Sequence, residues 1–295
     1  MGRGTGEMGQ RRRSTSEPKT TEVIDSNHAW EKHLPASLDD RTVKLSIQAV
    51  FHQADLHVEN FYGDMDVPMT EDLAVALEKV DSRYLPDSVV SLIPRSRAPT
   101  ALIKHCLIQL IVSRISVDGG RDASFLPSDL VILPSIITAA AGDQARKRGE
   151  SCSSTELLDV TDPATGFDQA YSHWRVLSAY LRPDTRQDQA YLSKRDAKIA
   201  AVVDAFSGAF APWLSPDYSR EDRRRNLTAI MRNAAETGIS IFAQPSTFRY
   251  EWSLRQGKAR DGNIVVTPAF LKIGDEGGHP LERAQVMVEM VTQSL

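Results

Sequence analysis

Cysteine is nearly absent from the chain: there are 2 in 295 residues, Cys106 and Cys152. One lies inside an apolar run and the other in a Ser-rich stretch. That spacing builds no disulfide framework, which excludes a small disulfide-stapled secreted scaffold and fits a reducing compartment. Long apolar runs are missing too. The longest, Ala101 to Val112, is interrupted by Lys104, His105 and Gln109 and falls far short of the ~20 residues a spanning helix needs. Neither sign of charge dominates. With 35 Lys and Arg against 39 Asp and Glu, the net charge is -4, so no global field draws the chain to nucleic acid or an anionic membrane. No G-x-G-x-x-G, Walker loop, G-x-S-x-G or H-E-x-x-H occurs. The start MGRGTGEMGQRRRS carries no apolar stretch and no Ser or Thr at position six, so neither a secretory signal nor myristoylation is expected. These absences predict an intracellular protein, cytoplasmic or nuclear, with no membrane contact, no cofactor and no metal.

What is present is ordinary globular composition, 41% hydrophobic and 25% charged, enough to bury a sizeable core. Residues 1–35 are rich in Gly, Arg, Ser, Thr and Lys without period, and a disordered tail is expected there. Within it, Arg11-Arg12-Arg13-Ser14 reads either as a solvated tail, or as a nuclear-import fragment or a phosphorylation site at Ser14 for a kinase that prefers upstream Arg. The remainder, 36–295, reads as one helical domain closed by a small sheet.

Apolar spacing predicts the helices. The first runs from about Leu38 to Tyr62, with Ser37 and Asp40 resembling a capping box and a stripe of Val43, Ile47, Val50, Phe51, Ala54, Val58 and Phe61. The second starts at Thr70 and carries Leu73, Leu77 and Val80. Ala101–Val117 is apolar on nearly every side, which marks it as the central helix. Ser128 is expected to cap an apolar segment, Leu130 to Ala141, that Pro134 must kink or split. Gly142–Gly166 reads as a mobile loop. Three further helices are expected: Phe167 to Leu181, one carrying Ile199, Val202, Val203, Phe206 and Phe210, and one from Ser219, with Asp222 in the box position, that Gly238 and Pro245 end.

After Gln244-Pro245 the apolar period changes from three or four to two. Phe248, Tyr250, Trp252 and Leu254 alternate with Arg249, Glu251 and Ser253, the pattern of a strand with one buried face. Strands are predicted at about 247–254 and 263–273, with Gly274–Gly278 as a turn. The segment 283–292 fits either a third strand or a helix, and the strand is preferred because two strands alone rarely make a stable sheet. The fold class is therefore mainly α, with a small antiparallel β-sheet near the C-terminus.

Several groups suggest chemistry. His52, Asp55 and Glu59 share one helix face, but that face lies opposite the apolar stripe and reads as wet rather than as a metal site. His105-Cys106 invites a thiol nucleophile, yet adjacent helical residues do not face each other, and Cys106 falls among Leu102, Ile103 and Leu110 as a small hydrophobe. Trp174, Trp213, Tyr250 and Trp252 read as packing residues. Arg220, Arg223, Arg224 and Arg225 form the densest folded charge run, which is either a solvated helix start or a contact for an anion, a nucleic acid or a protein partner.

Three stretches carry a resemblance: Asn233–Gly238 running into Ile241–Phe248, then Leu110–Ile115, then His173–Arg175. They are similar to stretches in uncharacterised proteins of filamentous fungi. The resemblance implies a helical body with an aromatic C-terminal strand and assigns no activity, cofactor or site residue. The function expected from the sequence is a non-enzymatic regulatory or protein-interaction scaffold with a protein partner. The alternatives are an enzyme whose active site assembles from dispersed residues in a helical pocket and nucleic-acid binding through Arg220–Arg225.

Overall fold

Capping chemistry and apolar stripes set the helices seen in the computed structural model, which describes residues 1, 2, 34, 36–120, 122–132, 167–253 and 262–295. The chain divides into two units, Met1–Pro35 and Ala36–Leu295. The expected tail with Ser14, the Gly142–Gly166 loop with Cys152, and Leu254 lie outside the described residues.

Helix α1 spans Asp40–Phe61. Its N-cap is Asp39 rather than the expected Ser37, because the extended Asp39 places its carboxylate 2.8 Å from the Thr42 amide. All seven residues of its predicted stripe are buried, and His57 joins them. Thr70 caps α2, Glu71–Glu78, and Ser88 caps the short α3, Val89–Leu92. Helix α4, Pro99–Ile115, is buried nearly all round and forms the centre of the body. Helical residues 128–132 begin the Ser128–Ala141 segment, whose remainder, Pro134 included, lies outside the described residues. Helix α5, Phe167–Leu181, stops two residues short of Pro183. Helix α6, Gln189–Ala209, is capped by Asp188. Helix α7, Arg220–Phe242, is capped by Ser219, whose Oγ also donates to the Asp222 carboxylate at 2.6 Å.

Gly238 does not end α7. The helix runs through it to Phe242, because the residue sits where α7 presses on α4: a Cβ there would lie 2.8 Å from the Ile115 Cβ. Glycine is needed for the close approach, not for a turn.

The C-terminal part is richer than expected. Strand β1 spans Thr247–Glu251, β2 Asn263–Thr267, β3 Ala269–Gly274, β4 Pro280–Val288 and β5 Val291–Ser294. The single strand expected at 263–273 is split at Pro268, which has no N–H to give to a ladder and a fixed φ. Its halves join different antiparallel sheets, β1-β3-β4 and β2-β5. The 283–292 segment is strand, as preferred, but breaks after Val288 so that β5 can pair with β2. The fold is therefore mainly helical with two small antiparallel sheets near the C-terminus. Phe248 stacks on Phe270 across β1 and β3, and Tyr250 meets Phe51 of α1 edge to face. Lys272 of β3, buried, ties the sheet to α1 through Asp40 at 3.0 Å and to the turn through Glu276 at 2.6 Å.

Candidate functional site

A cleft of about 370 Å³ lies between segment 122–132 and the first three turns of α6. It is built from the Asp188 cap outward. Asp188 accepts from the Tyr191 amide at 3.0 Å, which starts α6, and pairs with Arg182 at 3.0 Å, just beyond the end of α5. Once α6 begins there, Tyr191, Lys194, Arg195 and Lys198 fall at i, i+3, i+4 and i+7 on one face. All four line the cleft together with Arg182, Phe125, Leu126 and Pro127.

Each group has a defined role. The Tyr191 ring is the floor, with the guanidiniums of Arg182 and Arg195 at 5.6 and 5.8 Å from its centre. Three successive carbonyls of segment 122–132 are held by side chains: Ala123 by Arg114 at 2.9 Å, Ser124 by Lys198 at 2.9 Å and Phe125 by the Tyr191 hydroxyl at 3.0 Å. Arg182 is also paired with Asp129, and Arg195 with Asp196 at 2.9 Å, a carboxylate shared with Arg232 of α7. Lys194 is exposed and makes no ion pair among the described residues.

The lining holds four cations, Arg182, Lys194, Arg195 and Lys198, and one carboxylate, Asp188, while Asp129 and Asp196 outside the lining pair with Arg182 and Arg195. The Lys198 amine is held below its ordinary pKa by burial first and then by Arg114 and Lys194, with Asp122 acting in the opposite sense. Such a site can hold an anion whose body rests on Phe125, Leu126 and Pro127.

None of these lining side chains is a candidate at the level of sequence. The readable signal is that Tyr191 and Arg195 continue the Ile199–Val203–Phe206 stripe toward the N-terminus, and both are buried. A stripe whose next members are a phenol and a guanidinium marks the place where core gives way to a polar lining.

The residues singled out from sequence are dispersed. Arg223 turns back to the Ser215 and Tyr218 carbonyls, at 3.2 and 2.5 Å. Arg224 reaches Asp204 at 3.5 Å, and Arg225 pairs along its own helix with Glu221 and Asp222. Arg220 is exposed. Asp55 and Glu59 both meet Lys104 of α4, at 2.6 and 2.9 Å, so this half-wet face carries an inter-helix ion triad, while His52 is exposed. Burial works against the charge on Lys104, but the two carboxylates outweigh it and hold the amine above its ordinary pKa. No group of three or more His, Cys, Asp or Glu placed to hold a metal occurs among the described residues.

Cys106 is buried, and burial pushes its thiol up. Its neighbour His105 is the more informative residue. Nδ1 donates to the Val265 carbonyl at 2.5 Å, which leaves Nε2 to accept from the Ser82 hydroxyl at 2.7 Å. This is the arrangement of a serine–histidine pair, but His105 is 0% and Ser82 5% exposed. Trp252 lies against the imidazole at 5.1 Å and Tyr84 stacks on Trp252 at 4.9 Å. Closed off in this way, the pair braces the Ser82 turn, α4 and β2 together.

No helix among the described residues is long and apolar enough to cross a membrane. No family model, no curated protein and no solved structure matches the chain.

Proposed function

We propose that the protein is a non-enzymatic interaction scaffold whose basic cleft receives an acidic group of a partner polypeptide. The observation that carries this reading is the cleft itself: four cations around an aromatic floor, in a concavity of about 370 Å³, with Lys194 unpaired among the described residues. Lys194 is exposed at the cleft and holds no ion pair among the described residues, so an acidic group of a partner meets an ammonium there without displacing a carboxylate of the fold. The enzyme alternative has its nearest counterpart in Ser82 and His105, and burial leaves their reactive atoms no room for a substrate. Nucleic-acid binding through Arg220–Arg225 takes third place, since Arg223 and Arg224 already have partners within the fold.

Fluorescence anisotropy tests the proposal. The full chain is titrated into a labelled Asp/Glu-rich peptide and into its Asn/Gln counterpart. The acidic peptide binds, the neutral one binds at least about tenfold more weakly, and Lys194→Glu removes that difference while Arg225→Glu preserves it. Equal binding of the two peptides, or a loss confined to Arg225→Glu, overturns the assignment.

A further inference from the structure

We infer that the outer face of α1 docks a second copy of this chain, helix against helix and antiparallel. The core stripe occupies one side of α1. On the opposite side Leu45 is 53% and Leu56 39% exposed, and Ala49 between them is exposed as well. At about 100° per residue these three fall within about 40° of one another. They form a second apolar stripe that the fold leaves open. The stripe shares no residue with the basic cleft.

A leucine standing alone on a surface needs no explanation, but this stripe adjoins a socket. A groove of about 360 Å³ is lined by Thr42, Leu45, Ser46 and Ala49 of α1 with Asn233 and Thr237 of α7. The four α1 residues stand at i, i+3, i+4 and i+7. Four residues in that arrangement make the hole that takes one knob of a facing helix. When the facing helix is a second α1 in the antiparallel register that pairs Leu45 with Leu56, the knob that arrives is Leu56 of the second copy. The same step places this chain's Leu56 in the other copy's hole. Contacts of i with j and j with i close a two-fold interface. Ala49 and His52 fill the layer between the leucines.

The charges beside the stripe set the direction. Arg41 and Lys44 lie in the first half of α1, Asp55 and Glu59 in the second. Arg41 and Lys44 are exposed and make no ion pair among the described residues, while Asp55 and Glu59 share the one ammonium of Lys104. One negative charge is therefore left over. Parallel copies would set each cation beside its own counterpart. Antiparallel copies bring the two cations of one chain to the two carboxylates of the other, at both ends of the seam. The face thus carries the knob, its hole and both signs of charge in the order that self-pairing requires.

Sedimentation velocity of the full chain tests the proposal from about 5 µM to about 200 µM, since a seam this narrow gives a micromolar dimer. The expected result is a monomer at the low end and a dimer at the high end. Leu45→Glu and Leu56→Glu each weaken the dimer at least about tenfold, with an unchanged urea midpoint because both positions are exposed. Zero-length carbodiimide coupling, which joins an amine to a carboxylate in contact with it, reads the direction. Lys44 and Asp55 of one chain lie about 16 Å apart along the helix and are out of each other's reach. A Lys44–Asp55 or Lys44–Glu59 link between isotopically light and heavy copies is therefore expected. A monomer at every concentration overturns the proposal and leaves the face to an unrelated polypeptide. A dimer that survives both leucine substitutions, or one in which Lys44 couples to neither carboxylate, overturns it too.

Discussion

Two glycine-to-alanine substitutions on neighbouring helices have opposite expected signs. Gly208 lies near the end of α6, exposed, and a Cβ added there meets nothing within 4 Å. Alanine gains up to about 1 kcal/mol there from helix propensity and the restricted unfolded chain. Gly238 lies in the buried face of α7, where the same Cβ meets the Ile115 Cβ at 2.8 Å, the Ile115 carbonyl at 3.1 Å and the Leu126 Cδ2 at 3.2 Å. Carbon atoms pack at about 3.5–4.0 Å, so α7 and α4 must separate by close to an ångström. The nearest atom is a β-carbon and cannot swing away. Overpacking of this kind costs about 1–3 kcal/mol, and the propensity gain offsets part of it. The net expectation is a loss of about 1–2 kcal/mol for Gly238→Ala against a gain of up to about 1 kcal/mol for Gly208→Ala. For a folded unit of this size that is a fall of about 3–6 °C in Tm against a rise of about 2–4 °C. Differential scanning calorimetry of both variants with the parent decides it. A Gly238→Ala protein as stable as Gly208→Ala would refute the close packing of α7 on α4.

Trp252→Ala destabilises by about 3–5 kcal/mol in urea titration, because it removes the ring that covers His105 and stacks on Tyr84, while Glu251→Ala stays within about 0.5 kcal/mol. Ser82→Ala costs about 1–3 kcal/mol, since the buried His105 Nε2 then lacks its donor. His57 controls acid stability. Burial lowers its pKa to about 4, against a bond from Nδ1 to Asn226 at 2.7 Å. The unfolded chain, with a pKa near 6.5, binds that proton first, so the stabilisation is complete above about pH 6.5 and is lost as pH falls toward 4, up to about 3 kcal/mol. His57→Gln flattens the stability–pH curve across that window, and an unchanged slope would contradict the neutral assignment.

Helix positions were legible because stripes and caps are local. Thr70 and Ser219 cap as their sequences require, and all seven stripe residues of α1 are buried. Asp39 displaced Ser37 as cap because two neighbouring residues both carry capping side chains, and the backbone angle decides between them. Gly238 misled because a helix stop and a helix contact are the same residue type in sequence. Pro268 was readable as a break, but that its two sides enter different sheets depends on β5, whose pairing is non-local. The cleft was the least legible feature. Its cations come from two stretches, Arg182 and Lys194–Lys198, and its floor looks like a core position in the sequence. The Arg220–Arg225 run was conspicuous in sequence because it is contiguous, and contiguity on a helix spreads side chains around the axis instead of converging them.

Residue-resolved amide NMR of the full chain during titration with the Asp/Glu-rich peptide tests the central claim most directly. The account predicts saturable shifts confined to Ser124–Ser128 and Ala190–Lys198, abolished by Lys194→Glu. Shifts that cluster at Arg220–Arg225, or that spread evenly without saturation, would contradict it.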